Sequence, residues 1–174
     1  MDVSTKTLPV VFKEERFRTP LRTERQIGLW VDRIGSGGGS EMPARFRVLG
    51  QYAAVYVTRG QGEFHSPSTG VVPVRAGEAM LLFPREPHRY GSRAGWQTQW
   101  IVWNGPDAER LEALGYLGPQ TAVVPDPLGA VEEAFTALAG IMAREDLAAV
   151  LERKTLVLTM LLRLHQSSRS IGRR

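Results

Sequence analysis

The sequence predicts a mainly β fold: one β-barrel followed by a pair of α-helices. Three observations carry this expectation. Residues 45–125 break into short segments rich in Val, Tyr, Trp and Phe, divided by glycine and proline turn signals, which is the spacing of a sandwich or barrel. After Pro125 the apolar residues change to a helical period. The chain has 174 residues, 43% apolar and 23% charged, enough for one proper core and too apolar for disorder.

The elements follow in order. Residues 1–25 are polar, contain Pro9 and Pro20, and hold no sustained period, so they are expected to form an N-terminal arm. "QIGLWVDRI" (26–34) reads as a first strand. "GSGGGSEMP" (35–43) reads as a flexible hairpin tip; a phosphate cradle would need a Lys-Ser/Thr pair and a helix directly after it. "RFRVL", "YAAVYVT", "GEFHS", "GVVPVR", "EAMLLF", "QTQWIVW" and "TAVVP" are the remaining strands. Turns are expected at Arg59-Gly60-Gln61-Gly62, Pro67 to Gly70, Ala76-Gly77 and Ser92 to Gly95. Pro106 opens a short helix, and the barrel is assigned to 26–125.

The helical segment is assigned to 126–166. Asp126 is placed to cap a helix with Pro127 at its first position, and Val131, Phe135, Leu138 and Met142 recur at helical spacing. A second helix runs roughly from Asp146 to Gln166. Val150, Val157, Leu161 and Leu164 form one apolar stripe, Leu151, Leu158 and Leu162 an adjacent one, and Leu147, Leu156 and Met160 widen both. A helix lying on a barrel needs one apolar face. The surplus either faces a second copy in coiled-coil fashion or is covered by the first helix and the barrel.

Composition removes several functions. The chain has no cysteine, which excludes disulfides, zinc knuckles and thiol nucleophiles and permits a reducing cytoplasm. "MDVSTKTLPVVFKEER" lacks the apolar run of a signal peptide, and "LVLTMLLRL" is too short for a membrane span. The formal charge is +4, but the arginines are scattered and no helix gathers them on one face, which fits a solvated surface better than a nucleic-acid footprint.

Strand alternation selects the candidate site. Arg59 has the parity of Ala53, Val55 and Val57; Trp100 that of Thr98 and Val102; Tyr90 that of His88. An inward arginine needs polar partners, which a bound ligand supplies, whereas an arginine at a strand end reaches water. An arginine fork with Trp100 and Tyr90 suits a sugar or another small polar molecule. A metal site would need Glu63, His65 and His88 to converge, since the three histidines are His65, His88 and His165. That convergence is not expected, no Gly-x-Ser-x-Gly elbow is present, and the chain is read as a non-enzyme without cofactor.

The blocks "YAAVYVTRGQGEF", "VRAGEAMLLFPREPHRYG" and "WQTQWIVWNGP", with the two closing helices, resemble the N-terminal sensor domain of AraC-type transcription regulators over residues 45–166. The resemblance implies a cupin-like (jelly-roll) barrel that binds a small effector such as a sugar, helices that form a homodimer, and DNA binding through a separate helix-turn-helix domain in the cytoplasm. It matches Arg59, Tyr90 and Trp100 to sugar contacts of the arabinose-responsive member. Thr98 stands where that member has a histidine, and His88 is expected near the mouth in a structural role. Val150, Lys154, Val157, Leu161 and Leu164 are assigned to the dimer face. "SSRSIGRR" resembles the start of a linker (167–174) to a DNA-binding domain outside this sequence. The implied mechanism is a population shift in which the arm closes on ligand. The rivals are a metal-dependent cupin enzyme, an isomerase or dioxygenase, and a purely structural dimerisation module with a filled barrel.

Overall fold

A computed structural model describes residues 12–171, so the first part of the expected arm (1–11) and the end of the expected linker (172–174) lie outside the described residues. Eight strands and four α-helices follow in the order β1 (Phe12–Phe17), α1 (Arg22–Gln26), β2 (Trp30–Gly39), β3 (Tyr52–Ser66), β4 (Gly70–Arg75), β5 (Glu78–Leu82), β6 (Arg89–Gly91), β7 (Trp96–Asn104), α2 (Pro106–Ala113), β8 (Val123–Pro125), α3 (Ala130–Ala139) and α4 (Leu147–Ile171). The main sheet has the antiparallel order β1-β2-β7-β3-β5-β8, and β4 and β6 flank the far half of β3. By belonging to both sheets, the fifteen-residue β3 bends the array into a cupin-like barrel with the helices at its C-terminal end.

The two faces of the main sheet divide by alternation. Tyr52, Ala54, Ile101 and Trp103 lie under the helices, where Val131, Leu138, Val157, Met160 and Leu164 complete one buried cluster. Ala53, Val55, Val57, Leu82 and Val102 face the barrel interior. Asp126 does cap α3, but across a turn: its carboxylate accepts from Ala130 N–H at 2.8 Å and Val131 N–H at 2.9 Å, and the helix starts at Ala130.

Several expectations are corrected. The glycine run is no hairpin tip: Gly35–Gly39 continue β2 and pair with Trp96–Trp100 of β7. A Cβ at Gly35 would sit 2.5 Å from the Trp100 ring, so glycine there makes room for the indole. Arg59-Gly60-Gln61-Gly62 does not turn the chain; β3 runs through it, and Gly60 (φ +85°) takes a conformation that suits glycine while its backbone crowds Gly95. "RFRVL" makes only a single bridge, Arg47 to His88. Residues 12–26 are a strand and a helical turn within the packed body. There Glu24 is buried and receives hydrogen bonds from Arg18 at 2.5 Å and from Arg153 Nε at 3.1 Å, which ties α1 to α4.

The assigned dimer face is also corrected. Val150, Val157, Leu161 and Leu164 are all buried inside the single chain. Lys154 bonds Asp107 of α2 at 2.7 Å and also the Ile27 carbonyl. The sheet needs an apolar lid, and this stripe supplies it. Of the adjacent stripe, Leu151 (59%) and Leu162 (51%) are exposed and Leu158 packs partly against the core; Leu147 is also exposed.

Candidate functional site

The inner face of the main sheet bounds a cavity of about 240 Å³. Its floor is aliphatic, from Ala53 and Val55 of β3, Leu82 of β5 and Val102 of β7. Trp96, Thr98 and Trp100 project into it from β7, because residues two apart on a strand share a face. Tyr90 of β6 closes one side, and the backbone of Gly37–Gly39 borders another.

Charged groups ring this floor. Lys13, Glu15, Arg33, Glu41 and Arg47 all line the cavity. Glu15 pairs with Lys13, lies 3.5 Å from Arg33 Nε, and accepts from the Trp100 indole N–H at 3.4 Å. Arg47 comes from the segment before β3. Its Nε–H donates to His88 Nε2 at 3.2 Å, a terminal N–H donates to the Tyr90 hydroxyl at 2.9 Å, and the guanidinium carbon lies 5.4 Å from the Tyr90 ring centre. Burial pushes the Tyr90 hydroxyl pKa upward, against the opposing pull of Arg47.

His88 stands behind this wall. It is 1% exposed, lies between the rings of Phe64 and Tyr90, and does not line the cavity. Its Nδ1 faces the Glu86 carbonyl at 3.3 Å and so carries the proton, which leaves Nε2 to accept from Arg47. Burial lowers its pKa to about 4, the Glu86 carbonyl opposing and Arg47 adding to the effect. The neutral ring is satisfied at both nitrogens; a second proton would point at a guanidinium.

The structure therefore brings Tyr90, Thr98 and Trp100 together and separates Arg59 from them. β3 and β7 pair Val57 with Thr98 but Arg59 with Gln97, so Thr58 is an extra residue. Such a bulge inverts the parity beyond it. Arg59 is exposed, in an outer depression with Ser40 and Gln97. The same device acts in reverse on β2: Val31 pairs with Trp103 and Arg33 with Val102, so an extra residue at Asp32 turns Arg33 inward.

Sequence reasoning passed over Arg33, Arg47 and Trp96. Trp96 was detectable, since it shares its parity with Thr98 and Trp100. Nothing local distinguishes Arg47 from Arg45. Glu63 and His65 pair with each other at 3.1 Å, and His65 Nδ1 accepts from Arg89, while His88 turns to Arg47. No group of three His, Asp or Glu side chains among the described residues is arranged to share a metal ion.

A family model described as "AraC-like ligand binding domain" matches residues 43–161. No curated protein matches significantly. Among solved structures, a Cupin 2 conserved barrel domain protein from Leptotrichia buccalis is similar at 14% identity and a TM-score of 0.43, over 55% of this chain and 41% of that one. YhaK from Escherichia coli is similar at 12% identity and a TM-score of 0.43, over 56% of this chain and 44% of that one. A mutant of Bacillus subtilis oxalate decarboxylase OxdC is similar at 10% identity and a TM-score of 0.38, over 45% of this chain and 22% of that one.

Proposed function

Since the chain belongs to the family of AraC-like ligand binding domains, we propose that it senses a small effector in the barrel and passes the bound state to a DNA-binding domain of an AraC-type transcription regulator. The observation that carries this reading is the cavity itself: two tryptophans and a tyrosine around an aliphatic floor, with hydrogen-bond donors at its edge. Tyr90, Thr98 and Trp100 are the ligand contacts in this reading, joined by Trp96 and Arg47. Arg59 is replaced in that role by Arg47, and His88 supports Arg47 from behind.

A homodimer forms through the outer face of α4. Leu147, Leu151 and Leu162 are exposed at multiples of nearly whole helical turns (spacings of four and eleven residues), Leu158 lies half-buried between them, and the inner stripe is already used by the barrel. The coupling route starts at β1, which contributes Lys13 and Glu15 to the cavity and leads through Arg18 and Glu24 to Arg153 on α4. An effector that favours one arrangement of β1 thereby biases α4, provided it binds the two arrangements with different affinity. Such a regulator works beside DNA, in the cytoplasm. No helix among the described residues is long and apolar enough to cross a membrane.

The test is a thermal-shift and calorimetric screen of small polar molecules, including sugars, against the purified protein. A ligand at a hundred times its Kd stabilises by about 2.7 kcal/mol. The stabilisation should disappear in Trp100→Ala and persist in Arg59→Ala. A screen without a single stabilising compound, combined with stoichiometric iron, manganese or zinc in the purified protein, would refute the sensor in favour of a metal-dependent enzyme.

A further inference from the structure

We propose that the effector is a small organic monocarboxylate with an apolar body, its carboxylate held by Arg47 and Tyr90 at the cavity mouth and its body lying between Trp96 and Trp100. This rests on the sensor reading and specifies the ligand class of that site.

The first argument is the state of the cations. Lys13 and Arg33 both draw on Glu15. Arg47 has no carboxylate within ion-pair distance among the described residues. Its two bonds go to an imidazole and a phenol, both neutral partners that orient the fork without neutralising it. A guanidinium held in one pose with its charge uncompensated is a receptor for a planar anion, which it can grip through two parallel N–H groups.

The second argument is the excess of donors. The Tyr90 oxygen accepts from Arg47, so its own proton remains to be donated. The Trp96 indole N–H and the Thr98 hydroxyl have no hydrogen-bond partner among the described hydrogen bonds, and both residues line the cavity. The carboxylate of Glu15 is already taken by Lys13 and Trp100. A ligand that brings acceptors matches this wall. One that brings many hydroxyl donors does not.

The third argument is the floor. Ala53, Val55, Leu82 and Val102 offer no polar side-chain atom. A neutral sugar seated there would leave hydroxyls unpaired, whereas a ring or short alkyl chain loses nothing. A cavity of about 150 Å³ takes one benzene ring, so 240 Å³ has room for a single ring with its carboxylate. The lining carries three cations (Lys13, Arg33, Arg47) against two carboxylates (Glu15, Glu41), and Glu41 is exposed on the segment after β2. Glu41 therefore opposes an incoming anion, and removing its charge should tighten binding.

The experiment is isothermal calorimetry and thermal shift on the purified protein with benzoate, phenylacetate and hexanoate, each paired with its neutral amide, and with arabinose and glucose. At least one carboxylate should bind tenfold or more tightly than its amide, and more tightly than either sugar. Arg47→Met should weaken that carboxylate tenfold or more and leave its amide unchanged. Arg47→Lys should fall between, and Glu41→Gln should strengthen binding two- to threefold. Arg47→Met leaves the buried His88 Nε2 without its donor and should melt below the parent, so unchanged amide binding is the readout that its pocket is intact. Equal binding of acid and amide, or sugar binding that survives Arg47→Met, would overturn the carboxylate while leaving the sensor in place. Preference for phenyl phosphate over benzoate would overturn it in favour of a phosphate ligand. Failure of every compound, in these series and in the broader screen, would remove the sensor reading itself.

Discussion

Acid should loosen this barrel through one residue. The ordinary histidine pKa is 6.5, and burial holds His88 at about 4. Above pH 6.5 neither the folded nor the unfolded chain binds this proton, so His88 contributes no pH dependence there. Between 6.5 and 4 the unfolded chain takes up a proton that the folded chain refuses, and stability falls as pH falls; below 4 the loss levels off. A gap of about 2.5 pH units at 1.36 kcal/mol each amounts to roughly 3 kcal/mol, of which about 2 kcal/mol is lost by pH 5. The groups facing the ring are Arg47, Tyr90, Phe64 and the Glu86 carbonyl, and the Glu86 carboxylate, the one acid that favours the imidazolium, acts more weakly than burial. The assay is urea denaturation at pH 7.5 and pH 5 for the parent protein and for His88→Gln, whose amide can accept from Arg47 and donate to Glu86 while remaining neutral. The parent should lose about 2 kcal/mol more than the variant across that interval. Equal losses in the two proteins, or an NMR titration of His88 near 6.5, would refute the reasoning.

Other perturbations follow from the same packing. Glu24→Gln leaves the buried guanidinium of Arg153 without its counter-charge and should cost about 3–5 kcal/mol in chemical denaturation, as removal of one partner from a buried ion pair does; a loss under about 1 kcal/mol would show that the site is wetter than its burial indicates. Gly35→Ala drives a methyl group into the Trp100 indole and should abolish ligand-induced stabilisation while the circular dichroism of the sheet persists. Leu164→Ala should cost about 2–5 kcal/mol of stability without changing the oligomeric state, because Leu164 is buried against its own barrel. Leu151→Glu and Leu162→Glu should leave stability nearly intact and convert a dimer to a monomer in light scattering; the reverse pattern would return the interface to the inner stripe.

The periodicities were legible because they are local. Alternation and turn residues mark β3 to β5 and β7, a change of period after Pro125 marks α3 and α4, and the two-residue rhythm of Trp96, Thr98 and Trp100 aims one strand into the barrel. Asp126 was recognisable as a cap from its place ahead of an apolar helical run, though not the turn it reaches across. The glycine-rich stretch misled, since composition alone cannot distinguish a flexible tip from a strand whose small residues accept the indole of a residue 65 positions later (Gly35 to Trp100).

By itself, the sequence determined that this chain is a β-barrel with two closing helices, and that a tyrosine and a tryptophan stand on one wall, because strand and helix periods are written in neighbouring residues. Only the tertiary structure decided which arginines enter. The bulge at Thr58 turns Arg59 out and the bulge at Asp32 turns Arg33 in, and a one-residue slip between paired strands has no signature in either strand alone. It also decided which stripe of α4 is core, since both are apolar and the choice depends on the angle at which a distant sheet meets the helix. Arg47 gained its role in the same way: an unremarkable residue in a polar segment is set opposite His88 and Tyr90 by a single antiparallel bridge.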